Sequence, residues 1–401
     1  MSIPQREIYM QFYTDRKSGN SLSILGFGCM RFPKENLKQT NTEKTEQLIL
    51  NAVKNGINYF DTAFTYSGSE ETLGQILLKN KLREKIFLAT KLPMIKFRKY
   101  KDFNTVFQIQ LERLKTDYID YYLLHNLSSM KLWRELNDIG IRKWIGDKKE
   151  SGVIKNIGFS FHGMQNEFLQ ILDDYEWDFC QIQYNYLNIN YQAGMTGLKN
   201  AYEKGVSVFV MEPLLGGKLA DGLPVKAVKL FKSANSALTP AAWALRWLWN
   251  QKEVSVVLSG MNTDSQLEEN IKIADNCTAD MLNEKEKSVY ESVIKIINSS
   301  YKIPCTGCNY CMPCPYNVNI PGCFMAYNIS FSIGMYSGVQ QYLTSTGVNN
   351  PDLDYSPGNC RQCGECEKKC PQHIKIISLL KKVLKRMESP LVKFILKLLN
   401  K

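Results

Sequence analysis

An acid, an amine and an imidazole stand in this chain where short apolar runs stop, with a phenol in a loop between the first two. Ile57-Asn58-Tyr59-Phe60 reads as a buried strand ending at Asp61. Ile86-Phe87-Leu88-Ala89-Thr90 reads as another ending at Lys91, with a helix-patterned segment between the two. Ile119-Asp120-Tyr121-Tyr122-Leu123-Leu124 runs up to His125 in the same way, and Tyr66 follows Asp61 in the intervening loop. If the first two strands are parallel neighbours, Asp61 and Lys91 emerge side by side with Tyr66 over them. A tyrosine of ordinary pKa, about 10, is a poor proton donor near neutrality unless a cation favours its phenolate. Lys91 is the expected cation, and Asp61 is expected to hold it charged. Tyr66 is then the general acid that protonates a carbonyl oxygen as hydride reaches its carbon, and His125 orients the same oxygen by a hydrogen bond. Taken singly, Asp61 reads more readily as a turn or cap residue and Lys91 as a solvated loop lysine. Three such residues at strand ends favour chemistry.

The stretches DTAFTYSGSEETLG, ATK and LLHN resemble the signatures of the aldo-keto reductases, and the cysteine runs Cys305 to Cys314 and Cys360 to Cys370 resemble those of the subgroup with a C-terminal 4Fe-4S ferredoxin-type domain. The first resemblance covers roughly the first three quarters of the chain. It implies an α/β fold, a (β/α)8 TIM barrel, with Asp61, Tyr66, Lys91 and His125 as a catalytic tetrad. It also implies NAD(H) or NADP(H) as cofactor and a small-molecule carbonyl substrate.

The elements that must position these residues follow from a recurring pattern. A helical segment closed by glycine precedes a buried strand in NAVKNGINYFD, in KESGVIKNIGFS and in AYEKGVSVFVMEP. Strands are expected at 57–60, 86–90, 118–124, 156–159, 179–183, 206–210 and 254–258, and Ile24 to Gly28 makes the eighth. Ahead of them, Tyr9 to Asp15 and Ser21 to Ile24 flank the turn-prone Lys17-Ser18-Gly19-Asn20 and read as a hairpin. In the family such a hairpin plugs the barrel bottom. Active sites of these barrels lie at the C-terminal ends of the strands, a rule that selects Asp61, Lys91, His125, Ser160, Gln181, Met211 and Ser259.

Gly28, Met30 and Arg31 follow the first strand, where a glycine-thinned backbone lets a cofactor approach; a plain glycine turn is the other reading. By resemblance, Ser160 and Gln181 contact the nicotinamide amide, with Phe161 where an Asn is usual, and Met211 replaces the aromatic that stacks on the ring. Leu214, Gly216, Gly217 and Lys218 match the loop over the pyrophosphate. Ser259, Gly260, Gln266, Glu269 and Asn270 match the adenosine site. Gly260 and Gln266 stand where cations usually grip a 2′-phosphate, so selectivity is expected to lean away from NADP, and the missing aromatic leaves room for a flavin instead.

Past a helical stretch from about Met281 to Ile297 the composition changes to cysteine runs. Cys305, Cys308, Cys311 and Cys314 form the first. Cys360, Cys363, Cys366 and Cys370 form the second, with the C-x2-C-x2-C-x3-C-P spacing of bacterial ferredoxins. A zinc ribbon would need only two such pairs. By analogy with two-cluster ferredoxins, Cys305, Cys308 and Cys311 join Cys370 on one [4Fe-4S] cluster, and Cys360, Cys363 and Cys366 join Cys314 on the other. The aromatic-rich insert from Pro321 to Tyr342 favours a mostly α-helical dicluster module over a compact βαβ one. Cys29, Cys180, Cys277 and Cys323 are expected to be buried thiols.

With 401 residues the chain has room for a barrel and a smaller module. The expected divisions are a barrel over 1–280, a linking helix over 281–300, a ferredoxin-type domain over 301–375 and a basic amphipathic tail over 376–401. Tail residues Leu391, Phe394, Ile395 and Leu398 lie opposite lysines, which fits packing on the barrel or a second subunit, or contact with a membrane surface. The net charge of +11 is not one basic block with interleaved aromatics, which argues against nucleic acid. No apolar run is long enough for a spanning helix. MSIPQREIYM lacks the layout of a secretory signal, so cytoplasmic residence is expected. The twelve cysteines then point to metal ligation rather than disulfides. The leading expectation is a carbonyl reductase, a monomer or homodimer, that exchanges single electrons with a redox partner. The alternative is a redox-sensing or docking protein that keeps the barrel as a binding module.

Overall fold

The computed structural model describes residues 10–36, 39–93, 97, 99–347, 354–370 and 372–390. Its strands are β1 Phe12–Thr14, β2 Ser21–Ser23, β3 Leu25–Gly28, β4 Tyr59–Asp61, β5 Phe87–Leu92, β6 Ile119–Leu124, β7 Ile154–Phe161, β8 Phe179–Gln183, β9 Ser207–Met211 and β10 Val254–Ser259. β3 to β10 close into a parallel barrel in chain order, β10 returning to pair with β3, and helices lie between successive strands. The eight expected strands are these eight. β5 runs on to Leu92, past its expected end, because Lys91 bonds inside the barrel and stays in the ladder with Leu123 of β6.

The strands are buried on both faces, so they read as nearly continuous apolar runs, and the two-residue period divides each between wall and interior. Tyr59, Ala89, Tyr121, Leu123, Phe179, Phe209, Val256 and Leu258 pack together inside, while Phe60, Leu88, Tyr122, Leu124 and Ile182 join the outer core under the helices. The interior begins as an aromatic floor: the Tyr59 and Phe209 rings lie 4.9 Å apart, Tyr121 and Phe179 5.1 Å, Phe179 and Phe209 5.0 Å. Two glycines make room for it. A Cβ on Gly158 would stand 2.7 Å from the Phe179 ring, and one on Gly26 3.2 Å from Tyr59. One inward step above the floor the same strands present Asp61, Lys91, Gln181 and Met211. The period that fills the barrel therefore also lifts its polar residues to the mouth.

The hairpin β1–β2 closes the opposite end. Leu22 belongs to the interior cluster, and buried Asp15 accepts from the Tyr121 hydroxyl at 2.7 Å and from Ser207 Oγ at 3.1 Å. After the barrel, helix Glu284–Asn298 starts from a capping box at Asn283 and Glu286 and lays Val289, Tyr290, Val293 and Ile297 against the outer barrel helices. The Tyr290 hydroxyl donates to Trp243 O at 2.8 Å.

The cysteine-rich unit is helical, as expected. Helices Ile320–Ser332 and Met335–Thr346 form an antiparallel pair, and helix Ile376–Met387 packs Ile376, Leu380, Val383 and Met387 into the same core as Phe324 and Tyr342. The division expected at 375/376 falls just before this helix. The helix is basic on one face and apolar on the other because it closes the cysteine-rich unit, not because it lies on the barrel. Residues 391–401, with Leu391, Phe394, Ile395 and Leu398, lie outside the described residues. Among the described residues no helix is long and apolar enough to cross a membrane.

Candidate active site

The Lys91 ammonium is buried without exposure and donates to Asp61 Oδ1 at 2.6 Å and to the Thr62 carbonyl at 2.7 Å. Behind the strand, Glu70 accepts from Thr90 Oγ1 at 2.6 Å and from Gln110 Nε2 at 2.8 Å, and Gln110 also donates to the Lys91 carbonyl at 3.0 Å. That buried network fixes the backbone that carries the lysine. Tyr66 is half-buried above the pair, with Lys91 Nζ 5.0 Å from its ring centroid. His125 meets Tyr66 edge-on at 6.0 Å between ring centroids, and its Nδ1 lies 3.4 Å from Thr65 Oγ1. The four residues of the expected tetrad therefore converge at the mouth.

Their electrostatics depart from the sequence expectation at one point. Burial works against charge on Lys91, but Asp61 and Tyr66 outweigh it and hold the ammonium above its ordinary pKa. Burial raises the Asp61 carboxyl against the pull of Lys91; its Oδ2 is buried and has no hydrogen-bond partner. Tyr66 was expected to ionise more readily beside Lys91. Burial instead raises it, outweighing the lysine that pulls the other way, with Asp61 adding to the rise. Burial, then the charge of Lys91, then His162, push His125 down to about 3, so it stays neutral.

The residues matched to cofactor contacts line the same end of the barrel. Ser160 is buried, and its Oγ accepts from Asn126 N at 2.8 Å. Phe161 is turned into the wall against Phe168, with ring centroids 5.2 Å apart, so it does not stand in for a polar neighbour. Gln181 donates to Met211 Sδ at 3.5 Å, while its Oε1 is buried and unpartnered, as are both side-chain polar atoms of Gln183. Buried amides without partners are costly, and here they mark a surface suited to a polar ligand. The loop Leu214 to Lys218 winds through Gly216 at φ 67° and Gly217 at φ 92°, conformations that suit glycine. Arg31 lies across it: a Cβ on Gly216 would meet Arg31 Nη2 at 3.2 Å, and one on Gly260 would meet Arg31 Cδ at 3.2 Å. Gly28 lies beside Ser259, whose O would stand 3.4 Å from its Cβ, and Met30 is exposed. Asn270 donates to Ser259 Oγ at 3.0 Å, and Gln266 Oε1 accepts from Asn262 N at 3.0 Å. Glu269 accepts from Thr239 Oγ1 at 2.6 Å. These unpartnered amides, the glycine-lined loop and the guanidinium beside it fit a dinucleotide.

In the cysteine-rich unit the two runs interleave. One cavity is lined by Cys305, Cys308, Cys311 and Cys370, the other by Cys314, Cys360, Cys363 and Cys366 with Cys311 at its edge. Each cavity thus draws on both runs. Among the described residues no three His, Cys, Asp or Glu side chains converge tightly enough for a single metal ion; a four-iron cluster, where each thiolate binds a different iron, does not require that closeness. Cys29, Cys180, Cys277 and Cys323 are buried.

Residues 24–288 match the aldo/keto reductase family, and residues 304–377 match the 4Fe-4S dicluster domain. The chain belongs to the aldo/keto reductase family. It is 25% identical to a D-galacturonate reductase of Fragaria ananassa over 291 residues, 66% of this chain and 86% of that protein. An aldo-keto reductase of Mycolicibacterium vanbaalenii is 27% identical over 270 residues, 66% of this chain and 87% of the relative. Among solved structures, the holo form of aldo-keto reductase AKR11C1 from Bacillus halodurans superposes with a TM-score of 0.59 at 25% identity, covering 71% of this chain and 96% of that one. This aldo/keto reductase is therefore an oxidoreductase barrel joined to an iron-sulfur electron-transfer domain. Neither match calls for a flavin.

Reasoning from sequence missed the loop between β8 and the helix Gly194–Glu203. Its Tyr191 is buried, Asn190 donates to Thr306 O at 3.2 Å, and Gln192 Oε1 lies 3.1 Å from His162 Nδ1. The signal was present in QYNYLNINYQ, a run of tyrosine and asparagine denser than a solvated connection requires.

Proposed function

We propose that this protein reduces a small carbonyl compound with a nicotinamide dinucleotide, Tyr66 acting as general acid, and that its iron-sulfur domain exchanges single electrons with a partner. The carrying observation is the buried Lys91–Asp61 ion pair under Tyr66 at the mouth of a closed barrel. When bound, the nicotinamide supplies hydride. Ser160 and Gln181 would hold its amide. Leu214, Gly216, Gly217, Lys218 and Arg31 would hold the pyrophosphate, and Ser259, Gly260, Gln266 and Asn270 the adenosine end.

Tyr66, raised by burial, keeps its proton at neutral pH until charge develops on the substrate oxygen. Lys91 then stabilises the phenolate left behind. Asp61 keeps Lys91 charged and aimed, and neutral His125 orients the oxygen. A barrel retained only for docking would have no use for a charged pair buried beneath a tyrosine, where desolvation costs several kcal/mol, roughly, for each ion. In the second domain Cys305, Cys308, Cys311 and Cys370 would hold one [4Fe-4S] cluster and Cys314, Cys360, Cys363 and Cys366 the other; such clusters take up and release one electron each.

Tyr66→Phe tests the reading against a panel of aldehydes and ketones. Turnover falls by about 100-fold or more, while titration shows dinucleotide binding unchanged. Turnover near that of the unmodified enzyme would overturn the assignment.

A further inference from the structure

The two cysteine runs have different surroundings. The first lies against the barrel: Asn190 Nδ2, in the loop after β8, donates to Thr306 O at 3.2 Å, Asn309 Nδ2 donates to Asn190 O at 3.3 Å, and a Cβ on Gly307 would come within 3.1 Å of the Tyr191 ring. No charged residue occurs between Lys302 and Asp352. The second run bonds within its own unit, where Lys381 Nζ donates to Gln362 Oε1 at 3.1 Å. Between Cys360 and Met387 eight lysines and arginines stand against two glutamates. Both acids are engaged: Glu365 pairs with Lys368 at 2.7 Å, and Glu367 Oε1 accepts from Ile377 N at 2.8 Å at the start of the last described helix. Arg361, Lys369, Lys381 and Lys385 are exposed and make no ion pair among the described residues. Cys363 is exposed in their midst, lining one cavity with Arg361, Lys369 and Leu380. Lys381 and Lys385, one turn apart, share a helix face beside it.

We propose that the cationic rim around Cys363, formed by Arg361, Lys369, Lys381 and Lys385, is the docking surface for an acidic one-electron carrier protein, and that electrons enter or leave this chain through the cluster of Cys314, Cys360, Cys363 and Cys366. The inference rests on the reading that these four thiols ligate one cluster. Charge complementarity carries it. Four cations around one exposed ligand attract and orient a partner whose own redox group is ringed by carboxylates, which raises the rate of productive encounter. In the docked pair one electron crosses at the exposed sulfur. No bond forms or breaks, and the carrier loses what the cluster gains, or the reverse. The uncharged first run has no such field and already has the barrel against it. An anionic membrane is the weaker fit, because the apolar face that a helix would sink into lipid is occupied: Ile376, Leu380, Val383 and Met387 are buried in one core with Phe324 and Tyr342.

The test takes the full chain, isolated anaerobically with its clusters, and follows electron exchange with an acidic flavodoxin by stopped flow, in whichever direction the two potentials favour. Carbonyl turnover is not read, so the outcome does not depend on the chemistry of the barrel. In the unmodified protein the second-order rate is expected to fall by on the order of tenfold as salt shortens the Debye length from about 30 Å to about 8 Å. Arg361→Glu, Lys369→Glu and Lys381→Glu combined should lower it by on the order of 100-fold at low salt, while photoreduction by deazariboflavin, which is uncharged, keeps its rate. Lys226→Glu, Lys229→Glu and Lys232→Glu make the same change of charge at exposed positions of the barrel helix Val225–Ala234 and should leave the exchange nearly unchanged. A rate indifferent to salt in the unmodified protein, or equal loss in the two triple variants, would overturn this inference alone. So would a first triple variant that exchanges electrons normally but no longer sediments with phosphatidylserine vesicles, which would give the surface to a membrane. Absence of any four-iron signal from the unmodified protein would overturn the ligand reading with it.

Discussion

The barrel mouth and the iron-sulfur domain build their sites in opposite ways. At the mouth, Lys91 and Asp61 are buried and bonded to each other, and the strands that carry them belong to a large continuous core. In the second domain, Cys308 and Cys363 are exposed, the other six cysteines of the two runs are partly buried, and the core beside them is small. The first site is organised by its own side chains before any ligand arrives. The second places thiols around two cavities and takes from its clusters the contacts that a core would otherwise supply.

Stripping iron separates the two most sharply. Chelation under reducing conditions is expected to abolish hydrogen-exchange protection across 304–377 while the barrel strands keep theirs, and equal loss in both regions would end the distinction. Next in size is Lys91→Met, which strands Asp61 as a buried unpaired acid. The barrel's urea transition should lose about 3–5 kcal/mol, the cluster spectrum should not change, and Asp61→Asn added to it should recover part of the loss. Arg31→Ala comes third. The guanidinium lies between the Gly216 loop and Gly260, so NADH and NADPH should both bind about tenfold more weakly, or about 1.4 kcal/mol; loss confined to NADPH would place Arg31 on the 2′-phosphate.

A further effect is in pH. His125 is depressed to about 3 in the folded chain, against about 6.5 when unfolded. Below the unfolded value the unfolded chain binds the extra proton. The stability that His125 contributes is therefore complete above pH 6.5, roughly, and drains away as pH falls toward 3, by at most about 1.4 kcal/mol per pH unit. Denaturation of His125→Gln at pH 7.5 and pH 5 should show a shallower fall than the unmodified protein.

How much of this was legible in the sequence depends on the range of the interactions involved. The eight strands could be read because parallel strands buried on both faces leave unbroken apolar runs. Asp61, Lys91 and His125 could be read because each ends such a run. The direction of the Tyr66 shift could not: it is set by burial, which appears only once β4, β5 and β6 stand together around it. The bond of Glu269, on the helix Asp264–Asp275, to Thr239 could not be read either, because Thr239 caps a different helix. The helix Ile376–Met387 shows the same limit. Its amphipathic pattern announced that one face would be covered and not by what, and the cover is Phe324 and Tyr342. Tyr191 escaped notice because Gly307, beside which its ring lies, is far along the chain and nothing local refers to it.

The interleaving of the two cysteine runs also imposes an order on synthesis. The wall that includes Cys305, Cys308 and Cys311 lacks its fourth side until Cys370 has been added, and the other cavity likewise waits for Cys360, Cys363 and Cys366 to reach Cys314. The helix that covers the unit, Ile376–Met387, follows later still. A ribosome therefore releases a finished barrel, which precedes these residues and folds on its own core, well before either iron site has its full set of walls. Until then the first thiols emerge unshielded, and the machinery that delivers iron and sulfide must wait for the second cysteine run to join them.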